Sequence, residues 1–280
     1  MKVKIVFSEK CLRYGAWHIE GPERVRKASE ILKMKAYEFQ APEPASEEAL
    51  LQAHSNEYLW MVKKGMVEDG DTPAYDNIFE HARLSAGGAI MAAKVKGFSL
   101  MRPPGHHCGT NGVALGAATR GFCYLNNMAI AVKHLDKPTL ILDIDGHHGN
   151  GTQEIFFGTE KVTYLSLHRH PNYPGTGAAS EGNCLNFPLP PDCGDETYLH
   201  VLDKALGTIS MDRFEVVAVS AGFDTHAGDL ASLGLTQKGY RMIGRRIAAL
   251  KRPTFFVLEG GYNGERVGND IDELLKGFEP

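Results

Sequence analysis

Residues 140–151 read Leu140-Ile-Leu-Asp-Ile-Asp-Gly-His-His-Gly-Asn-Gly151, an apolar strand that runs directly into a cluster of metal-ligand residue types. Side chains of a strand alternate between its faces, so Asp143 and Asp145 share one face, which His147 continues if the backbone stays extended. Burying such groups without partners costs roughly 2–7 kcal/mol each. A divalent cation is the simplest partner, and a buried hydrogen-bond network at the strand end is the alternative.

The composition is that of an ordinary globular protein. The chain has 280 residues, with 43% hydrophobic and 23% charged residues and a net charge of −4, so we expect no nucleic-acid partner. The five cysteines are scattered and form no C-x-x-C pair, which predicts reduced thiols and a cytoplasmic protein. Because we find neither a signal peptide nor a run of about 18 apolar residues, we expect no membrane association.

Strand-like and helix-like segments alternate along the chain. This pattern is typical of βαβ units, and it predicts an α/β protein with a mostly parallel sheet covered by helices on both faces. No linker divides the sequence, so we predict one domain over residues 1–280. The predicted strands are residues 2–7, 97–101, 139–142, 162–167, 216–220 and 254–258. The predicted helices are residues 22–37, 46–53, 57–67, 78–95, 126–135, 153–157, 196–209 and 236–250, followed by a short terminal helix. Long loops are predicted at 105–121 and 168–195.

Polar clusters follow several of these strands. They are His106-His107, the segment 143–148, Asp224, and the segment 260–262. In open parallel sheets, ligands bind outside the carboxyl ends of the strands. Four clusters that are separate in sequence would therefore converge at one place, and this convergence favours a metal site over a hydrogen-bond network.

Asp145, His147 and Asp224 form a set of two carboxylates and one imidazole. Three protein ligands with an open position are typical of a catalytic metal, whereas a structural zinc is usually closed by four ligands. The set suits Zn²⁺, and Fe²⁺, Co²⁺ or Mn²⁺ would also fit. Asp224 has a simpler alternative, because an aspartate after a strand can instead cap a helix.

The remaining polar residues suggest hydrolytic chemistry. His106 and His107 can exchange protons with a water and a leaving group near neutral pH. Tyr262 can donate its hydroxyl to a developing oxyanion. The combination predicts metal-assisted hydrolysis of an amide or an ester. The alternatives are loop packing for the histidine pair and a turn aromatic for the tyrosine.

The sequence resembles the histone deacetylase family, within the wider arginase/deacetylase fold. The motifs that carry the resemblance span residues 102–262 in family order. They are Arg102-Pro-Pro-Gly-His-His, Gly121-Phe-Cys-Tyr-Leu-Asn-Asn, the segment 143–153, Ser166-Leu-His with Tyr173-Pro-Gly-Thr-Gly, Ala221-Gly-Phe-Asp, and Leu258-Glu-Gly-Gly-Tyr. Asn150 and the residues around it resemble the class II and bacterial or archaeal members, since the class I branch has Asp at that position.

The resemblance implies a three-layer sandwich with an eight-stranded sheet and a zinc-dependent deacetylase activity. It implies that Asp145, His147 and Asp224 bind zinc, that His106 and His107 are the tandem catalytic histidines, and that Tyr262 polarises the acyl carbonyl. Asp143 would support His106, and Asn150 would support His107. A neutral amide beside His107 should let this ring lose its proton more readily than a carboxylate would.

Further roles come from the resemblance alone. A structural K⁺ would be held by Asp143, Asp145, His147, Ser166 and Leu167. Substrate would contact Phe122 as a channel wall, Asp71 as a rim acid, and Gly260 and Gly261. Arg24 resembles an arginine at an internal cavity through which acetate leaves.

Three functions remain open at this stage. The first is a deacetylase acting on a small acyl amide, such as an acetylated polyamine, or on an acyl-lysine protein. The second is a dimetal ureohydrolase of the arginase type, and the third is a non-catalytic acyl-lysine binding protein. The complete set of ligands, histidines and tyrosine favours the first. The sequence does not identify the substrate, the acyl-chain preference, the native metal or the oligomeric state.

Overall fold

The computed structural model describes residues 2–279. Its strands are β1 (Ile5–Val6), β2 (Phe39–Gln40), β3 (Phe98–Ser99), β4 (Thr139–Asp143), β5 (Val162–Arg169), β6 (Cys184–Leu189), β7 (Val216–Ala221) and β8 (Thr254–Leu258). The strands form one sheet in the order β2-β1-β3-β8-β7-β4-β5-β6, and every neighbouring pair is parallel. The predicted parallel sheet is confirmed, and it is parallel throughout.

Nine α-helices are found in the described residues. They are α1 (Glu23–Met34), α2 (Glu47–Leu51), α3 (Asn56–Lys63), α4 (Ile78–Val95), α5 (Asn127–Leu135), α6 (Asn150–Phe156), α7 (Gly194–Gly207), α8 (Gln237–Ala249) and α9 (Gly264–Phe278). In residues 2–279 no helix has the length and apolar character needed to cross a bilayer.

The sheet is buried on both faces, and β4 shows why the central strands are continuously apolar. Leu140 and Leu142 pack into the core on one side of the sheet, whereas Ile141 packs into the core on the other side. Helices α1, α8 and α9 cover the first face, and α4 and α5 cover the second. A strand between two helical layers must be apolar at every position, not at alternate ones. The three-layer, single-domain architecture is thereby confirmed.

Several helix predictions are confirmed at their ends. Helix α4 has the predicted bounds, and the N-caps of α2 and α8 are Ser46 and Thr236, the first residues of the predicted helices 46–53 and 236–250. The Ser46 hydroxyl accepts the amide of Ala49, and the Thr236 hydroxyl accepts the amide of Gly239. These side chains satisfy amide groups that have no partner within the first helical turn.

The prediction of one unbroken loop at 168–195 is wrong, because this segment contains β6. The strand lies at the edge of the sheet and pairs only with β5. Its sequence, Cys-Leu-Asn-Phe-Pro-Leu, holds a proline and an asparagine, which are rare in central strands. An edge position tolerates Pro188 because one side of the strand needs no amide donor.

Other elements also differ from the prediction. Strand β2 was not predicted, since two residues carry no periodicity. Helix α6 begins at Asn150, not at Gln153. Helix α9 has 15 residues, so the prediction of a short terminal helix is wrong. Its glycines weaken local helix propensity, but Gly268 and Gly277 let the helix pack closely on Ala28 of α1 and on the backbone of Arg241 in α8.

A buried histidine makes the fold sensitive to acid. The Asn126 amide donates to Nε2 of His54 over 2.9 Å, so Nδ1 carries the proton and donates to the Gly109 carbonyl over 3.0 Å. Burial lowers the pKa of His54 to about 4, although the backbone hydrogen bonds oppose this shift. In the unfolded chain the His54 ring binds a second proton with a pKa of about 6.5. The neutral ring therefore contributes to the free energy of unfolding above pH 6.5, and this contribution is lost as the pH falls towards 4.

We expect the free energy of unfolding of the wild type to fall more steeply between pH 7 and pH 5 than that of His54→Gln. The difference between the two drops should be about 2 kcal/mol, from the linkage of a group whose pKa falls from 6.5 to about 4. Urea titrations at both pH values measure it. His134→Gln, at an exposed site at the end of α5, is the matched control. Equal drops in wild type and His54→Gln would contradict the assignment.

Candidate active site

The carboxyl ends of β4 and β7 bring the three predicted metal ligands together. Asp145 and His147 lie in the turn after β4, and Asp224 follows β7. All three residues are buried, and one ligand atom from each lies within 4.8 Å of the other two. The convergence expected from the sheet edge is therefore present, and this group is the single cluster of three or more His, Cys, Asp or Glu ligands found in residues 2–279.

Backbone amides fix both carboxylates. In Asp145, Oδ1 accepts the His147 amide over 2.9 Å and Oδ2 accepts the Gly260 amide over 2.8 Å. In Asp224, Oδ1 accepts the Gly146 amide over 2.8 Å. These contacts leave little freedom to rotate, so both side chains are held in place by the turns that carry them.

The second oxygen of Asp224 has the environment of a metal ligand. Oδ2 is buried and has no hydrogen-bond partner, although it lies 2.7 Å from Nδ1 of His147. Nδ1 of His147 is also 3.4 Å from Oδ1 of Asp145. Burial and the charge of Asp145 raise the pKa of Asp224, so the charge on these buried carboxylate oxygens is unfavourable without a cation. A divalent cation between these atoms would compensate them, so the donor set fits the metal that the sequence predicts.

Two glycines allow the backbone to approach this centre. A Cβ at Gly146 would lie 2.3 Å from the Cβ of Ala231, and a Cβ at Gly260 would lie 2.7 Å from carboxylate oxygens of both Asp145 and Asp224. Any side chain at either position would displace a candidate metal ligand or its support. The steric constraint accounts for the glycine at 146.

His106 lies against two carboxylates. Its Nδ1 is 3.0 Å from Oδ2 of Asp143, and its Nε2 is 3.7 Å from Oδ1 of Asp145. The hydroxyl of Tyr164, which the sequence analysis did not single out, also donates to Oδ2 of Asp143 over 2.9 Å. Burial opposes a charged ring, but the two aspartates outweigh it and raise the pKa of His106 to about 10. A bound cation would offset part of this effect, because it would neutralise Asp145.

His107 has a different environment. Its Nδ1 is 2.8 Å from Oδ1 of Asn150, and the Asn150 amide group donates to the Ala114 carbonyl over 2.8 Å. Since that donation fixes which amide atom faces the ring, Nδ1 of His107 carries a proton. Burial, followed by the nearby His106 and His147, holds the pKa of His107 well below its usual range. The contact between His107 and Asn150 that the resemblance implies is thus present.

Tyr262 lines a cavity of about 250 Å³ that His147, one of the candidate metal ligands, also lines. The cavity is lined by Asp71, His107, Gly121, Phe122, His147, Asn172, Tyr173, Leu230 and Tyr262. The rings of Phe122 and Tyr262 meet edge to face with centroids 5.8 Å apart. Burial and the charge of Asp224 raise the pKa of Tyr262 well above 10, so the hydroxyl stays protonated and able to donate.

Asp71 and Phe122, which the resemblance implies as rim and wall residues, both line this cavity. In Asp71, Oδ1 accepts the Thr72 hydroxyl over 2.7 Å and Oδ2 accepts the Thr119 hydroxyl over 2.5 Å. The Phe122 amide donates to the Thr72 hydroxyl over 3.0 Å. Hydrogen bonds therefore join the loop that carries Asp71 and Thr72 to the loop that carries Thr119 and Phe122. Substrate contact by Asp71 and Phe122 stays a prediction.

Gly260, Gly261 and Arg24 lie behind the cavity, and none of them lines it. Arg24 donates from Nε to the Gly261 carbonyl over 2.5 Å, from Nη2 to the Glu259 carbonyl, and from Nη1 to Glu20 over 3.1 Å. Its guanidinium therefore braces the loop that carries Tyr262. Substrate contact by the glycines and an acetate-release role for Arg24 stay predictions.

The predicted potassium residues are brought together in part. Asp143 of β4 and Ser166 of β5 are register partners, and Leu167 follows Ser166 in the same strand. The Ser166 hydroxyl lies 2.8 Å from Nδ1 of His168, whose Nε2 lies 3.0 Å from the Gly177 carbonyl. Potassium binding at these residues stays a prediction.

A buried ion-pair network was missed by the sequence analysis. Glu20 lies between Arg24 and Arg102, and Arg102 binds it through Nε over 3.0 Å and Nη2 over 2.8 Å. Arg102 also donates to the carbonyls of Cys11 and Tyr14 over 2.9 and 3.0 Å. The network ties residues 11–21 to the segment that leads into His106. Arg24 is four residues from Glu20, but nothing in the sequence signals the pairing of Glu20 with Arg102, which lies 82 residues away.

Glu259, which the sequence analysis did not single out, supports the loop that carries His106 and His107. Oε2 of Glu259 accepts the amides of Gly105 over 2.7 Å and His106 over 3.1 Å. Burial raises the pKa of Glu259 to about 7 against the opposing charge of His106. The sequence analysis named Glu259 only as part of the motif that ends in Tyr262. No spacing rule links Glu259 to Gly105, which lies 154 positions away.

The fold and the site define an α/β protein with a candidate catalytic metal centre at the carboxyl edge of a parallel sheet. A model of the histone deacetylase domain matches residues 18–278. The chain therefore belongs to the histone deacetylase family. A protein of Archaeoglobus fulgidus described as a probable deacetylase is 39% identical, over 95% of this chain and 82% of that protein. Acetylpolyamine amidohydrolase 1 of Pseudomonas aeruginosa is 38% identical, over 71% of this chain and 58% of that protein.

Solved structures agree with this assignment. The crystal structure of the HDA15 HD domain has a TM-score of 0.88 and 31% identity, over 100% of this chain and 90% of that one. An acetylpolyamine aminohydrolase from Burkholderia pseudomallei has a TM-score of 0.90 over 99% of this chain and 98% of that one. At 24% identity, the second likeness supports the fold alone.

Proposed function

We propose that this protein is a metal-dependent deacetylase that removes an acetyl or other short acyl group from an amine, with zinc as the metal. The observation that carries the proposal is the unpartnered, buried Oδ2 of Asp224, which faces His147 at the base of a cavity also lined by His107 and Tyr262. A hydrolytic site needs a metal position, proton-transfer groups and an oxyanion donor around one reacting carbon. The residues around this cavity could supply all three.

Asp145, His147 and Asp224 would hold the metal, which when bound would polarise the acyl carbonyl and lower the pKa of a water molecule. His107, whose pKa is lowered, is suited to accept a proton from water. His106, whose pKa is raised, is suited to donate one to the leaving amine. The protonated hydroxyl of Tyr262 would donate to the carbonyl oxygen as negative charge develops there.

The direct test is acetate release from acetyl-lysine amide, an acetyl-lysine peptide and an acetylated polyamine, each with zinc-loaded protein. We expect release from at least one of them and inhibition by a hydroxamate. The ranking of kcat/KM identifies the substrate class among those in the names of the relatives. Absence of release from all three, together with no hydroxamate binding, would sink the proposal.

A dimetal ureohydrolase is less well supported, since the described residues hold one ligand cluster and a second metal would need further carboxylates beside it. Elemental analysis separates the two, because the deacetylase proposal expects one transition-metal ion per chain. We also propose a structural K⁺ near Asp143 and Ser166. Its test is a thermal unfolding midpoint that rises with KCl above the rise given by equal NaCl.

The neutral partner of His107 predicts a pH effect. Asn150→Asp should raise the pKa of His107, because a carboxylate stabilises the charged ring. If His107 is the base, the acidic limb of the kcat/KM profile should move to higher pH by about one unit or more. The matched control is Asn172→Asp, an amide change at the cavity rim. An acidic limb that moves equally in both variants would remove His107 from the base role.

A further inference from the structure

Two exposed apolar residues, Trp17 and Leu230, lie on loops that contact or line the cavity, and we call them its lip. Trp17 is 100% exposed, and Leu230, which lines the cavity, is 46% exposed. Trp17 precedes His18, whose ring meets Phe122 of the cavity wall edge to face with centroids 4.9 Å apart. Single exposed apolar residues are common on protein surfaces. A fully exposed tryptophan one residue from the wall of a catalytic cavity calls for a more specific explanation.

The loop that carries Trp17 is held rigidly. The His18 amide donates to the Gly15 carbonyl over 3.1 Å, which closes a turn with Trp17 near its tip. Nδ1 of His18 accepts the Glu20 amide over 3.1 Å. The base of the loop is anchored because Arg102 binds Glu20 and the Tyr14 carbonyl. The backbone that carries Trp17 is therefore fixed and only its side chain must become ordered on binding, so the position suits recognition.

The charges around the cavity argue against the recognition of a second cationic group of the substrate by Trp17 and Leu230. Asp71 is the one carboxylate that lines the cavity, and both of its oxygens already accept threonine hydroxyls. Asp69 pairs with Arg120 over 3.0 Å. Asp229, beside Leu230, accepts the backbone amides of Leu230 and Tyr262. The exposed side chains of Trp17 and Leu230 therefore match an apolar group of the substrate.

We propose that Trp17, with Leu230 on the loop after β7, binds an apolar side chain next to the acyl-lysine of a peptide substrate. The proposal rests on the deacetylase function proposed above and specifies its substrate. The acyl-lysine would enter between Phe122 and Tyr173, and the neighbouring residue would lie on the lip outside the cavity. Trp17 is thereby a specificity-determining residue.

The test uses two acetyl-lysine peptides that differ only in the residue next to acetyl-lysine, which is Leu in one and Asn in the other. We expect the wild type to favour the Leu peptide by about tenfold in kcat/KM, and Trp17→Ala to abolish this preference. Trp60→Ala, a change of the second tryptophan on α3, is the matched control and should keep the preference. A preference that Trp17→Ala leaves at its wild-type value overturns the proposal.

A binding measurement provides a second readout. In the double variant Trp60→Phe, Tyr262→Phe, Trp17 is the sole tryptophan and turnover is suppressed. We expect the Leu peptide to shift the Trp17 emission to shorter wavelength and to protect it from acrylamide, and the Asn peptide to do so less. No change on saturation with the Leu peptide overturns the proposal. If the wild type hydrolyses neither peptide nor acetyl-lysine amide, the proposed function fails. The fluorescence result then shows by binding alone whether Trp17 contacts the Leu side chain of the peptide.

Discussion

Tyr262→Phe should lower kcat for an acetyl amide by about 10²–10³-fold, because one oxyanion donor is typically worth that factor. The hydroxyl is the only group that the change removes, and its raised pKa keeps it protonated in the wild type. The ring, its contact with Phe122 and the hydrogen bond from its backbone amide to Asp229 are retained. Single-turnover kinetics with zinc-loaded protein measures the effect.

The control is Tyr37→Phe, which removes a hydroxyl that contacts Asp272, away from the site. It should leave kcat unchanged, and both variants should bind one metal ion per chain. If Tyr262→Phe lowers kcat by less than about threefold with metal retained, the tyrosine is not the oxyanion donor.

Asp224→Asn should have opposite effects on the metal-free and the metal-loaded protein. The pKa of Asp224 is raised by burial and by Asp145, so its charge is unfavourable when no cation is present. An amide can still accept the Gly146 amide through its oxygen. We therefore expect a higher thermal midpoint for the metal-free variant than for the metal-free wild type.

In the presence of zinc the order should reverse. The wild type should gain stability with metal concentration, by about 2.7 kcal/mol at 100 times the dissociation constant, and the variant should gain far less. Acetate release should fall by several orders of magnitude. Asp212→Asn, at a fully exposed site, is the control for the charge change. Equal zinc stabilisation of wild type and Asp224→Asn would exclude Asp224 from the metal site.

Local signals were sufficient for much of the fold. The continuous apolar run at β4 reflects burial on both faces, and the N-caps Ser46 and Thr236 satisfy helix amides within a few residues. Each of these features depends on neighbours in sequence. Strand β6 could not be predicted in this way, since its pairing with β5 outweighs the poor strand propensity of Asn186 and Pro188.

In the candidate site, too, some features follow from neighbours in sequence and others only from tertiary contacts. The sequence by itself determined the ligand types, because Asp145 and His147 follow β4 directly and Asp224 follows β7, and strand ends of a parallel sheet share one edge. Only the tertiary structure decided what supports them. Glu20 lies 82 residues from Arg102 and Glu259 lies 153 residues from His106, yet these pairs fix the loops around the cavity.

The physical reason is that the order of the strands determines which strand ends lie side by side. It does not determine which long side chains of the connecting loops pair with one another. An ion pair such as Glu20 with Arg102 forms because both groups are buried together and neither can be left unpaired. The exposed position of Trp17 is likewise a result of the turn and the ion pairs beneath it. The sequence alone therefore predicted the candidate metal ligands of this histone deacetylase family member, and the packing of distant loops decided the shape of the cavity beside them.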